Sequence, residues 1–92
     1  MDKKKIIKYL ADNGIMYAHA GFKYLIDVIE IATNINGRLC LDTVYKEVSE
    51  KHCCSKTSVE KCIRDAINKA DEYMTNKEFV AKAVYELKYE IE

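Results

Sequence analysis

The stretch Leu41–Lys69, LDTVYKEVSEKHCCSKTSVEKCIRDAINK, decides the fold. Apolar residues recur at Leu41, Val44, Tyr45 and Val48, and again at Val59, Cys62, Ile63, Ala66, Ile67 and Ala70. Both sets keep the i, i+3, i+4, i+7 spacing that lines up side chains on one helical face. Between them, His52-Cys53-Cys54-Ser55-Lys56 is short and polar enough to turn the chain. A short helix, a tight turn and a longer helix with a polar outer stripe form the pattern of a helix-turn-helix, whose second helix can enter a DNA major groove.

With Val59 at the centre of the buried face, about 100° per residue carries Thr57, Lys61, Arg64 and Asn68 to the outward line. Ser58, Asp65 and Lys69 flank that line on one side and Glu60 on the other. Lys61 and Arg64 can donate to guanine O6 and N7 or to phosphate, Asn68 can pair with adenine, and Glu60 can accept from cytosine N4. Ser55 and Lys56, at the helix start, suit phosphate contacts. The same residues also fit an ordinary solvated face. Lys61–Asp65 and Arg64–Asn68 are common i, i+4 neighbours, and Thr57-Ser58-Val59-Glu60 has the form of a capping box, which would turn Glu60 toward the backbone.

Outward from this unit the chain reads as helix throughout. A first helix is expected near Lys4–Asp12, with Ile6, Ile7 and Leu10 inward and Asn13-Gly14 as its stop. Gly21 is expected to precede a long helix reaching about Asn34 and ended by Asn36-Gly37. Its apolar residues Phe22, Leu25, Ile26, Val28, Ile29, Ile31, Ala32 and Ile35 leave only the narrow polar stripe Lys23, Asp27, Glu30 and Asn34, which marks a central helix. Thr75-Asn76-Lys77-Glu78 is a capping box that opens a last helix, with Phe79, Val80, Ala83, Val84, Leu87 and Ile91 on one side. No segment alternates like a strand. The expected fold is all-α, one domain over residues 1–92 of about five helices, with the helix-turn-helix at about 41–70. Its shared core is expected to hold Ile26, Ile29, Val48, Val59, Ile63, Ile67, Phe79 and Val84.

Bulk properties narrow the function. The 92 residues are 49% hydrophobic and 33% charged, the balance of a folded globular domain. No apolar run approaches the ~20 residues of a membrane span, no signal peptide opens the chain, and the expected location is cytoplasmic. Fifteen basic residues balance fifteen acidic ones, which argues against strong non-specific phosphate attraction. Lys3, Lys4, Lys5 and Lys8 nevertheless gather at one end, and Glu86, Glu90 and Glu92 at the other. Cys40, Cys53, Cys54 and Cys62 lack zinc-ligand spacing even with His52 nearby, so free thiols, no metal and no cofactor are expected. His19, expected in the loop before the long helix, and His52, in the turn, have no partner nameable from sequence. No phosphate loop or nucleophile–base pair stands out, so no enzymatic activity is expected.

Several blocks together carry a family resemblance. They are Gly14-Ile15, Gly21-Phe22-Lys23-Tyr24-Leu25, Val44-Tyr45 through Val48, Val59-Glu60-Lys61-Cys62-Ile63-Arg64-Asp65-Ala66-Ile67, and Thr75-Asn76-Lys77-Glu78-Phe79-Val80-Ala81. The last two are the specific ones. The chain resembles, over nearly its whole length, the C-terminal DNA-binding domain of the sporulation master response regulator of spore-forming Firmicutes. The resemblance implies an all-α helix-turn-helix domain that regulates transcription from short TGTCGAA-type boxes, often adjacent. By position, Glu60, Lys61 and Arg64 match recognition-helix residues of that family.

Three departures accompany it. Ser58 stands where the family has a base-contacting arginine, Asp65 where it has a histidine, and Asp71–Met74 replace a longer connection that bears part of the family's polymerase-contacting surface. No phosphoacceptor receiver is present in these residues, so a shortened stand-alone relative is expected. The sequence therefore predicts a DNA-binding transcriptional regulator that uses the 56–70 helix in the major groove. Its site residues are Ser55, Lys56, Thr57, Ser58, Glu60, Lys61, Arg64 and Asn68. Double-stranded DNA is the expected partner, and homodimer pairing on DNA is carried with it. The competing reading is a protein-binding inhibitor or adaptor from a phage or mobile element that reuses the scaffold. Seven tyrosines, Tyr73, Tyr85 and Tyr89 among them, would supply its contact surface.

Overall fold

A computed structural model describes residues 3–35, 39–70 and 74–89. Among them are five helices and no strand: α1 (Lys3–Asp12), α2 (Ala20–Thr33), α3 (Leu41–Lys51), α4 (Lys56–Lys69) and α5 (Asn76–Tyr89). The expected stops at Asn36-Gly37, together with Tyr73 and Ile91, lie outside the described residues.

Local chemistry sets the ends. Helix α1 closes in a Schellman turn, with Gly14 at φ 85°, its N–H on the Ala11 carbonyl (3.0 Å) and the Ile15 N–H on the Leu10 carbonyl (3.0 Å). A positive φ at that position is where glycine is favoured. The buried Ile15 then folds back onto the core. Helix α5 opens as the sequence predicts: Glu78 N–H donates to Thr75 Oγ1 at 3.1 Å and Thr75 N–H to Glu78 Oε1 at 2.9 Å.

Helix α2 starts earlier than Gly21 suggests. His19 is its N-cap, with Nδ1 accepting the Gly21 N–H at 2.9 Å, so Gly21 sits inside the first turn. Its role is proximity. A Cβ built there would overlap the Cys62 carbonyl and lie 2.8 Å from the Ala66 Cβ. The absent side chain thus lets the α2 backbone approach the α4 backbone at Cys62 and the Ala66 side chain.

Helix α2 is central and packs against each of the other four, while α4 also touches α3 and α5, and α1 touches α5. Ile29, Val48, Val59, Ile63, Ile67 and Phe79 are buried, and Ile26 and Val84 are half-buried against them. The polar stripe expected on α2 needs one correction. Lys23 and Asn34 are exposed, but Asp27 is buried. It is buried because two residues of the helix-turn-helix return to pair with it.

Candidate nucleic-acid interface

The turn between α3 and α4 is built from backbone geometry that glycine usually supplies. Cys53 takes φ 54°. Its N–H donates to the Glu50 carbonyl (3.3 Å), and the Cys54 N–H donates to the Ser49 carbonyl (2.9 Å), which is the Schellman pattern. A left-handed conformation at a residue with a Cβ costs about 1–2 kcal/mol. Ser55 then caps α4, its extended backbone (φ −88°, ψ 154°) aiming Oγ at the Ser58 N–H, 3.0 Å away. The capping box expected at Thr57–Glu60 does not form. Thr57 is already helical, and the cap lies two residues earlier, so Glu60 is free of that backbone role.

The same turn is clamped to α2. The His52 ring N–H (Nε2) donates to Asp27 Oδ2 at 2.6 Å, and Lys51 Nζ donates to Asp27 Oδ1 at 3.1 Å. Burial pushes the Asp27 carboxyl up, but the hydrogen bonds from His52 and Lys51 outweigh it and hold it below the ordinary carboxylate value. Tyr24 presents its ring edge-on to His52, with centroids 5.1 Å apart, and its hydroxyl lies 3.6 Å from Cys54 Sγ. Neither His52 nor Asp27 announces this pairing in the sequence, since they are joined only by the packing of α2 against α3.

On α4, Val59, Ile63, Ala66 and Ile67 are buried, whereas Thr57, Ser58, Glu60, Lys61, Arg64, Asp65, Asn68 and Lys69 are all exposed. The outward line therefore stands in solvent as one face. Lys56, at the start of α4, has its Nζ 2.6 Å from Asp42 Oδ1 in an exposed pair. Such exposed pairs are weak and readily exchanged. Lys61, Arg64 and Lys69 have no ion-pair partner among the described residues.

The flank of this face is not flat. A groove of about 660 Å³ runs between α4 and the start of α5, with Glu60, Arg64 and Asn68 on one wall, Thr75, Asn76 and Lys77 on the other, and Leu41, Tyr45 and Met74 beneath. Asn76 Nδ2 donates to the Glu60 carbonyl at 3.2 Å and so ties the two walls. Burial raises the pKa of the Tyr45 hydroxyl above its ordinary value. Sequence reasoning missed Tyr45, Asn76 and Lys77 here. Tyr45 reads as core, and Asn76 and Lys77 read as filler inside a capping box.

The four cysteines are free thiols, Cys40 and Cys53 exposed and Cys54 and Cys62 half-buried. Among the described residues no group of three or more His, Cys, Asp or Glu side chains is placed to hold a metal ion. No helix there is long and apolar enough to cross a membrane.

The chain matches the family described as Sporulation initiation factor Spo0A C terminal over residues 6–91. No curated protein and no solved structure matches the chain.

Proposed function

Since the chain belongs to the Spo0A C-terminal family, a family of DNA-binding effector domains and not a known enzyme family, we propose that it is a sequence-specific transcriptional regulator that lays α4 in the major groove. The observation that carries this reading is the α4 outer face. Eight polar side chains from Thr57 to Lys69 are exposed together, and its cations Lys61, Arg64 and Lys69 have no ion-pair partner among the described residues. A domain with no net charge that keeps these cations unpaired on one helix face has them available for phosphate and base edges.

In this reading Lys61 and Arg64 carry binding, Thr57, Ser58, Glu60 and Asn68 tune sequence choice, and Ser55 and Lys56 contact the backbone at the helix start. Ser58 and Asp65 lower the positive charge of the face, so an isolated monomer binds weakly and paired sites or low salt bring the affinity into range. Selection from a random DNA pool tests it. An enriched motif, with Arg64→Ala relaxing preference at one position and costing about 1–3 kcal/mol, is expected. No enrichment, together with no effect of Lys61→Ala and Arg64→Ala at low salt, refutes it.

The adaptor reading draws on a separate observation. Tyr85 and Tyr89 are 57% and 71% exposed and lie with ring centroids 5.3 Å apart on α5, an aromatic pair suited to protein contact. It takes over if DNA selection fails.

A further inference from the structure

A helix lying in the major groove has DNA backbone on both sides, because the groove is about 12 Å wide and a helix with its side chains about 10–12 Å across. Whatever stands beside the reading helix therefore meets a phosphate strand. On the α5 side of α4 the protein is hollowed into the groove of about 660 Å³. Its walls carry two cations, Arg64 and Lys77, against one acid, Glu60. Lys77 is exposed and, like Lys61 and Lys69 on α4, has no ion-pair partner among the described residues.

The end of α5 is not itself an anion site, because the Thr75 hydroxyl already accepts the Glu78 N–H. The side chains make the case. Asn76, next to Lys77, is bonded to the Glu60 carbonyl at 3.2 Å, so the start of α5 is fixed relative to Arg64 and Asn68.

We propose that the α4–α5 groove seats one strand of the sugar–phosphate backbone of the bound DNA, with Lys77 on a phosphate and Asn76 holding the wall in place. This rests on the reading of α4 as the recognition helix. Polyanion charge complementarity selects the occupant, and the groove runs along the same helix as the reading face.

The test takes the DNA recovered by selection and measures affinity against salt for the intact chain, Lys77→Ala, Lys77→Arg and Arg64→Ala. Lys77→Ala should weaken all selected sequences alike, several-fold, and reduce the slope of log K against log salt by about 0.9. Lys77→Arg should restore both. A single uncharged methylphosphonate linkage beside the site should weaken the parent and leave Lys77→Ala indifferent. If Lys77→Ala keeps parental affinity and slope while Arg64→Ala still weakens binding, the groove inference is overturned and the recognition helix stands. If Arg64→Ala and Lys77→Ala both leave binding unchanged, the two fall together.

Discussion

Replacing His52 with alanine tests whether the turn is held by its clamp or only by the helices on either side. The substitution removes a 2.6 Å hydrogen bond to the Asp27 carboxylate, whose side chain is 8% exposed. What remains for that carboxylate is Lys51, at 3.1 Å from a half-exposed side chain. A hydrogen bond to a charged group contributes about 1.5–3 kcal/mol, and losing the edge-on contact with Tyr24 adds roughly 0.5–1 kcal/mol. The expected cost is therefore about 2–4 kcal/mol. In a domain of this size that corresponds to a fall in Tm of roughly 10–20 °C. Chemical denaturation of the parent, His52→Ala, Asp27→Asn and the double variant provides the check, with a coupling energy above about 1 kcal/mol expected between the pair.

The pH dependence gives a second reading of the same contact. The folded Asp27 pKa lies below its unfolded value, so its contribution is fully present above the ordinary carboxylate value of about 3.9. It is lost as the pH falls through the lower, folded value. Asp27→Asn should flatten that part of the acid limb. A His52→Ala variant that melts within 2 °C or so of the parent, with additive behaviour in the cycle, would refute the clamp.

Gly21→Ala should destabilise by about 1–3 kcal/mol through overpacking against the Cys62 carbonyl and Ala66; urea unfolding measures it, and an unchanged midpoint would mean that α2 and α4 can separate freely. Cys53→Gly should stabilise by about 0.5–1 kcal/mol, because relief of the left-handed strain exceeds the added backbone entropy of the unfolded chain; a lower Tm would contradict this. The hydrogen bond from the Thr43 hydroxyl holds the exposed Cys40 thiol below its ordinary pKa. Iodoacetamide at neutral pH should therefore label Cys40 before Cys53, with mass spectrometry of timed digests as the readout and Thr43→Val slowing the reaction.

Helix positions and the inner and outer faces of α4 could be read from spacing because they depend on local periodicity, and Val59, Ile63, Ala66 and Ile67 are buried as that periodicity requires. The Thr75–Glu78 box and the Asn13-Gly14 stop were legible for the same reason. What escaped depends on residues far apart in sequence. Asp27 reads as solvent stripe until Lys51 and His52 come back to it. Gly21 reads as the residue before α2 until α4 lies against it, and the capping box expected at Thr57–Glu60 gives way to Ser55, which has the extended backbone. Of the eight candidate DNA-contacting residues, six were nameable from the helical wheel and Ser55 and Lys56 from their place at the helix start. The groove beside them was not, since its far wall belongs to α5 and its floor to α3.

The close approach at Gly21 also bears on how this scaffold can change over generations. With the Cys62 carbonyl and Ala66 seated where a side chain would stand, α4 can neither roll nor slide along α2 without a clash or a void. If α4 reads DNA as proposed, the helix is in effect a fixed print head whose characters are interchangeable. New surface chemistry comes from substitutions at Thr57, Ser58, Glu60, Lys61, Arg64, Asp65 and Asn68, one at a time, with the aim of the helix conserved. Exchanges among those positions should transplant a neighbour's preference intact, whereas any residue larger than glycine at position 21 alters every outward contact at once.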